Sequence, residues 1–122
     1  MQTVLAIDDE TLMLNVMGRA LTKLGYNVET ASNGEEGIEK FNGGQYDLVI
    51  TDMCMPHADG NDVIKHIRSS KKNFVPIIGI SATPWLFKDS NIDKILTKPF
   101  LLKTFVSTVK NLVGEELTVN CL

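Results

Sequence analysis

The chain has 122 residues, of which 43% are hydrophobic and 22% are charged, and its formal net charge is −3. This length suits one domain with a single core, and the composition is that of an ordinary globular protein. A negative net charge argues against nonspecific nucleic-acid binding, which needs a basic surface. Two cysteines are too few for a disulfide framework, and no apolar stretch approaches the length of a membrane span. We therefore expect a reduced, cytoplasmic protein with no nucleic-acid or membrane partner.

Short apolar runs alternate with helical patterns along the whole chain. The runs predict five strands, at residues 4–7, 27–31, 48–51, 76–80 and 92–97. Apolar residues at helical spacing predict four helices, the first over 12–24, the second ending at 41, the third around 63–67 and the last over 101–113. The second strand is the least apolar of the five, which is typical of a sheet edge.

Two local signals predict where helices begin. Ser32 and Glu35 predict a capping box for the second helix. Asp59 is the predicted cap of the third helix, because a short carboxylate side chain accepts a hydrogen bond from the first turn. Gly25 is a natural stop for the first helix.

The alternation of strands and helices indicates right-handed crossovers and a parallel sheet covered by helices on both faces. In such a sheet, ligands bind beyond the carboxyl ends of the strands. Polar residues follow three of the predicted strands, namely Asp8, Asp9 and Glu10 after the first, Asp52 after the third and Lys98 after the fifth. Carboxylates that meet at one edge repel each other unless a proton or a cation neutralises them, so the pattern predicts a hard divalent metal.

These residues give the chain a resemblance to the receiver domain of two-component response regulators. The resemblance extends from Val4 to about Val113. The resemblance depends on four motifs, each at a strand end and in the family's order: Asp8-Asp9, Asp52 with the segment MPHADG, Ser81-Ala82 and Lys98-Pro99-Phe100. It implies an α/β, flavodoxin-like, doubly wound sheet of five parallel strands in the order 2-1-3-4-5. It also implies one domain over 1–122, with a core over about 3–113 and a short tail over 114–122.

The resemblance implies a phosphoacceptor site that uses Mg²⁺. Asp52 is the expected nucleophile, which takes a phosphoryl group from a phosphohistidine of a histidine kinase or a histidine phosphotransfer protein. Mg²⁺ is expected to contact Asp9 and Asp52 directly, Asp8 through water, and the backbone carbonyl of Cys54. A backbone contact makes the identity of residue 54 permissive, and a plain thiol is the simpler interpretation of its side chain.

Lys98 and Ser81 are expected, by the same resemblance, to contact the phosphoryl group. The ammonium of Lys98 would pair with Asp52 and then with a phosphoryl oxygen, and the Ser81 hydroxyl would donate to another oxygen. Pro99 is implied to follow a cis peptide bond. The phosphorylated form would then change contacts with a downstream protein of unknown identity. Self-phosphorylation and autodephosphorylation at Asp52 are the only expected catalysis, and no output domain is expected after the tail.

Two departures from the family pattern concern its usual output surface. The stretch between Ser81 and Lys98 is shorter than in most receivers by roughly a helical turn or more. We therefore expect the fourth helix of the family to be shortened or absent, with a single turn or a loop over Thr83 to Asn91. Ile95 stands where the family usually has an aromatic residue. We expect this segment to bind an unusual partner or to signal by ordering.

Three other functional classes remain open from the sequence. The first is a pseudo-receiver, an interaction module that is not phosphorylated. The second is a phosphatase of the haloacid dehalogenase type, but such enzymes carry their nucleophile after the first strand and usually have a cap domain. The third is a flavodoxin-like flavin binder, in which aspartates after the first strand would repel the flavin phosphate.

Overall fold

The structure is a computed structural model that describes residues 2–88 and 91–114. Its centre is a parallel sheet of five strands: β1 (Thr3–Ile7), β2 (Asn27–Ala31), β3 (Leu48–Asp52), β4 (Ile77–Ser81) and β5 (Lys94–Thr97). The strand order is β2-β1-β3-β4-β5, as predicted, and the weakly apolar β2 lies at an edge. The predicted tail lies almost wholly outside the described residues.

Helices cover both faces of the sheet. They are α1 (Thr11–Lys23), α2 (Gly34–Gly43), α3 (Gly60–Arg68) and α4 (Leu102–Val113). Between β4 and β5 the described residues contain only a single 3₁₀ turn, Pro84–Leu86, so the prediction of a shortened or absent helix at this point is confirmed. None of the helices in the described part of the chain has the length and hydropathy needed to cross a membrane.

The core consists of two apolar layers, one on each face of the sheet. Successive side chains of a strand point to opposite faces, so β1 sends Leu5 and Ile7 into one layer and Val4 and Ala6 into the other. The first layer packs against α2 and α3, and the second packs against α1 and α4. Each fully buried aliphatic side chain stabilises the fold by roughly 1.5–3 kcal/mol relative to exposure.

The helix starts show one correct and one wrong prediction. Asp59 caps α3 as expected, and its partner in a full capping box is Asp62. The predicted capping box of α2 was wrong by one residue, because Asn33 is the cap and accepts a hydrogen bond from the Glu36 amide at 2.8 Å. Ser32 instead donates its amide and hydroxyl to the Glu36 carboxylate.

Arg68, the last residue of α3, ties together the segments that lead into β4 and β5. Its guanidinium donates to the carbonyls of Asn73 (2.7 Å), Val75 (2.6 Å) and Asn91 (2.8 and 3.0 Å). It also pairs with the carboxylate of Asp93 at 3.0 Å. A single side chain thus holds the segments before β4 and β5 against the end of α3.

Candidate phosphoacceptor site

The functional residues meet because four neighbouring strands end at the same edge of the sheet. Asp52 and Ser81 are the last residues of β3 and β4, Asp8 directly follows β1, and Lys98 directly follows β5. The backbone maintains this alignment, since the Lys98 amide donates to the Ser81 carbonyl at 2.9 Å and the Met53 amide donates to the carbonyl of the residue before Ser81 at 3.1 Å. The structure therefore brings these four predicted residues to one place.

Three carboxylates surround the ammonium of Lys98. Its Nζ lies 2.6 Å from Glu10 Oε1, 3.2 Å from Asp8 Oδ2 and 3.4 Å from Asp52 Oδ1. One oxygen of each of the three acids lies within 4.8 Å of the others. Asp8 is fully buried and Asp52 is only 5% exposed, whereas Glu10 is exposed. One positive charge thus faces three acidic groups in a poorly solvated space.

The pKa values reflect this excess of acid. Burial raises the pKa of Asp8 from 3.8 to about 6, and the charge of Asp52 adds to the effect. Burial also raises the pKa of Asp52. Burial alone lowers the pKa of Lys98, but its hydrogen bond to Glu10 and the charges of Asp8 and Asp52 outweigh burial and raise it. The lysine therefore stays protonated, while the buried acids would gain from further positive charge.

The donor set suits a hard divalent cation. All three acids offer carboxylate oxygens, the ligands that Mg²⁺ prefers, and Lys98 leaves part of their charge uncompensated. Glu10 belongs to this trio, although the resemblance assigned it no role as a metal ligand. Its place in the acidic run after β1 could have identified Glu10 as part of the site. The family pattern, however, specifies only the pair Asp8 and Asp9.

Asp9 and Cys54 lie beside the trio rather than within it. Both are exposed and line an adjoining cavity of about 570 Å³. The Asp9 carboxylate is close enough to Asp52 that its charge contributes to raising the pKa of Asp52. The cavity is lined by Asp9, Met53, Cys54, Met55, Pro56, Asp59, Asn61, Leu86 and Lys88.

The hydroxyl of Ser81 is engaged by the segment that follows β4. Ser81 is 2% exposed, and its Oγ accepts a hydrogen bond from the Thr83 amide at 2.9 Å and lies 3.1 Å from the Thr83 hydroxyl. The peptide bond between Lys98 and Pro99 is cis, as predicted. Thr83 is a further residue at the site that the sequence reasoning did not single out.

Comparison with known proteins identifies the family. The chain matches the family described as the response regulator receiver domain over residues 4–110. It is 34% identical over 117 residues to PhoP, the alkaline phosphatase synthesis transcriptional regulatory protein of Bacillus subtilis, covering 88% of this chain and 46% of PhoP. It is 37% identical over 119 residues to the 3′,5′-cyclic-nucleotide phosphodiesterase regA of Dictyostelium discoideum, covering 87% of this chain and 15% of regA. The chain thus spans half or less of the length of these relatives.

Solved structures agree with this assignment. The response regulator TrrA of Thermotoga maritima, in complex with Mg²⁺-BeF, is 36% identical, with a TM-score of 0.83 over 92% of this chain and 99% of TrrA. The chemotaxis protein CheY4 of Vibrio cholerae is 29% identical, with a TM-score of 0.84 over 92% of this chain and 98% of CheY4. The predicted flavodoxin-like fold is therefore confirmed. The chain belongs to the receiver domains of two-component response regulators.

Proposed function

We propose that Asp52 accepts a phosphoryl group from a phosphohistidine of a histidine kinase or a histidine phosphotransfer protein. The observation that carries this proposal is the position of Asp52. It is a nearly buried carboxylate at the end of β3, 3.4 Å from the ammonium of Lys98 and beside two further acids. A carboxylate attacks an anionic phosphoryl group poorly unless positive charge offsets the repulsion, and here the ammonium of Lys98 and a cation bound by the acids would supply that charge.

The transfer replaces a phosphorus–nitrogen bond with a phosphorus–oxygen bond. A carboxylate oxygen of Asp52 attacks phosphorus, the bond to the imidazole nitrogen breaks, and that nitrogen leaves with the electron pair. Lys98 would pair with an oxygen of the phosphoryl group on Asp52, and its distance of 3.4 Å from the Asp52 carboxylate supports this role. Ser81 would donate its hydroxyl to another phosphoryl oxygen, and in that role it would give up any hydrogen bond that it donates to the Thr83 hydroxyl.

We propose Mg²⁺ as the cofactor of this site. Asp52 would hold it through a carboxylate oxygen and Asp8 through water, and Glu10 is a further acid of the cluster that could contribute an oxygen. Mg²⁺ would supply the charge that offsets repulsion between acceptor and donor. Asp9 and the backbone carbonyl of Cys54 are further proposed ligands, because both residues line the cavity beside the trio. The Mg²⁺-BeF complex of the 36%-identical TrrA supports this choice of ion.

We propose that phosphorylation changes contacts with another protein through the surface near the β4–β5 connection. Trp85 in this connection is 74% exposed, and Ile95 on the adjacent β5 is 37% exposed. Part of the segment Thr83 to Asn91, residues 89 and 90, lies outside the described residues. Trp85 fluorescence is expected to change on addition of Mg²⁺ and beryllofluoride.

We propose that residues 1–122 form a single receiver domain. PhoP is by its name a transcriptional regulatory protein, and this chain covers less than half of it. The absence of a nucleic-acid partner therefore stays a prediction for these 122 residues only. We propose three classes of partner without naming individual proteins. They are a histidine kinase, a histidine phosphotransfer protein and a downstream protein.

Incubation with acetyl phosphate and Mg²⁺, followed by intact mass measurement, tests the proposed function. We expect the mass to rise by one phosphoryl group, and Asp52→Asn to abolish the rise. Asp47→Asn is the matched control, because Asp47 is exposed at the opposite end of the same strand. No mass increase in the unmodified protein, with acetyl phosphate or with a phosphorylated histidine phosphotransfer protein, would favour the pseudo-receiver instead.

A further inference from the structure

Residues 83–88, which we call the strap, lie between β4 and the N-terminus of α3 and are anchored by Phe87. The Phe87 ring is buried in a slot between two glycines. A Cβ atom added to Gly79 would lie 2.8 Å from this ring, and one added to Gly60 would lie 2.9 Å from it. Both distances are shorter than carbon atoms tolerate in a packed interior, so glycine at both positions makes room for the anchor.

Asn61 holds the strap on both sides of this anchor. Its side-chain Nδ2 donates to the Leu86 carbonyl at 2.9 Å, and its Oδ1 accepts from the Lys88 amide at 3.0 Å. The nitrogen and the oxygen of one side-chain amide thus bind the backbone on either side of Phe87. Asn61 is itself fixed relative to the acceptor, because the preceding residue, Gly60, donates its amide to the carbonyl of Met53, directly after Asp52, at 2.9 Å.

The strap forms one side of the cavity beside the acidic trio. Leu86 and Lys88 line the cavity together with Asp9 and Cys54. At its other end the strap contacts the site again, where the Thr83 amide donates to the Ser81 hydroxyl. Movement of the strap would therefore change the shape of the cavity that lies beside the acidic trio.

We propose that Asn61 is a positioning residue for the phosphoacceptor site. By fixing Leu86 and Lys88 as a cavity wall, it limits the approach of water and so lengthens the lifetime of the aspartyl phosphate. In the hydrolysis that it slows, a water oxygen attacks phosphorus, and the bond to the Asp52 oxygen breaks with its electron pair left on the Asp52 carboxylate. The water protons leave with the released inorganic phosphate. Asn61 acts through the strap and, because it also lines the cavity, as part of the same wall; it has no contact with the phosphoryl group in this scheme. The inference rests on the proposed function of Asp52.

Three variants test this inference. Asn61→Ala removes both hydrogen bonds to the strap, whereas Asn61→Asp keeps the acceptor for the Lys88 amide and loses the donor to Leu86. His66→Ala is the matched control, because His66 also lies on α3 and makes one side-chain hydrogen bond, 2.7 Å long, to Asn42 on α2, away from the strap. Urea unfolding establishes that the variants fold.

Two measurements are made on each variant. The first is exchange of the Lys88 amide hydrogen, by NMR, in the unphosphorylated protein. The second is the rate of phosphoryl loss by intact mass, after phosphorylation with acetyl phosphate and Mg²⁺ and removal of the donor. We expect Asn61→Ala to raise both rates, the second by about fivefold, which corresponds to about 1 kcal/mol for the two lost hydrogen bonds together. In Asn61→Asp the Lys88 amide hydrogen should stay protected from exchange, and the rate of phosphoryl loss should rise less than in Asn61→Ala. His66→Ala should match the unmodified protein in both rates.

The outcomes separate this inference from the proposed function. If the unmodified protein never gains a phosphoryl group, the proposed function fails and the inference falls with it, whatever the amide exchange shows. If the protein is phosphorylated but Asn61→Ala loses phosphate at the rate of the unmodified protein, only the inference is overturned. An equal acceleration in His66→Ala would also overturn it, because the effect would then come from general loosening of α3.

Discussion

Replacement of Asp8 by asparagine is expected to stabilise the protein in the absence of divalent metal. Asp8 is fully buried, and burial raises its pKa from 3.8 to about 6. The folded state therefore binds a proton more tightly than the unfolded state does. As the pH rises from about 4 to about 6, between the two pKa values, the stability of the folded protein falls. At roughly 1.4 kcal/mol per pKa unit, the charged carboxylate costs about 3 kcal/mol above pH 6.

The asparagine keeps one interaction and creates one unfavourable contact. Its side-chain oxygen still accepts the hydrogen bond that the Glu10 amide donates to Asp8 at 2.9 Å. Its NH₂ group faces the ammonium of Lys98, which costs roughly 1–2 kcal/mol as a buried donor without an acceptor. A net gain of about 1–2 kcal/mol should remain at pH 7.5, and it should disappear by pH 4, because the carboxyl of the folded protein is then protonated and no buried charge is left to remove.

Urea unfolding in EDTA at pH 7.5 and pH 4 measures this difference. The expected shift of the midpoint at pH 7.5 is about 0.5–1 M to higher urea. Glu39→Gln is the control, because it removes one negative charge from an exposed position on α2. The reasoning is refuted if Asp8→Asn is no more stable than the unmodified protein at pH 7.5, or if Glu39→Gln gives the same gain.

Two further predictions concern packing and the β4–β5 connection. Gly79→Ala should lower the unfolding free energy by about 1–3 kcal/mol, because its Cβ would lie 2.8 Å from the Phe87 ring; Gly18→Ala, in α1 with open space around it, should instead be neutral or stabilising by up to about 1 kcal/mol. Equal urea midpoints for the two variants would show that the Phe87 slot is not tight. Arg68→Lys should cost about 2–3 kcal/mol, since an ammonium cannot make the spread of contacts that the guanidinium makes. Thermal unfolding beside the exposed control Arg19→Lys checks this, and equal midpoints would contradict it.

The sheet was predictable from the sequence because its signals are local and repeated. Short apolar runs marked the strands, although β2 was only weakly apolar, and the handedness of crossovers restricted the topology. The strand order itself came from the resemblance to receiver domains. The helical pattern of α1 was less reliable at its margins, since Leu12 is 79% exposed and Val16 is 47% exposed although both lie in the apolar stripe. An apolar stripe predicts which side of a helix faces the core. It does not predict how many residues at the edges of that stripe are buried.

The site was predictable as a place but not in its contacts. The strand ends brought Asp8, Asp52 and Lys98 together as expected. Once the chain leaves β1, however, side-chain directions depend on the turn, and the turn sends Glu10 toward Lys98 while Asp9 lines the neighbouring cavity. Periodicity cannot supply that information, because it ends with the strand.

The contacts of the strap depend on tertiary packing that has no sequence periodicity. The short distance from β4 to β5 and the residues Pro84 and Trp85 indicated a turn or a loop, and a 3₁₀ turn is found. Nothing in the sequence paired Asn61 with Leu86 and Lys88, since these partners are distant along the chain and their contacts use backbone atoms. Backbone atoms are the same in every residue, so the identities of the two partners carry no signal.

The brevity of the β4–β5 connection has a consequence for how the chain folds. Closing a loop costs less conformational entropy when the loop is shorter, and contacts between segments close in sequence form faster. The pairing of Ile78 with Lys94 and of Ser81 with Thr97 spans a short stretch of chain, whereas β1 must find β3 across α1, β2 and α2. We therefore expect the β4–β5 pair to be an early nucleus onto which the N-terminal half of the sheet is added.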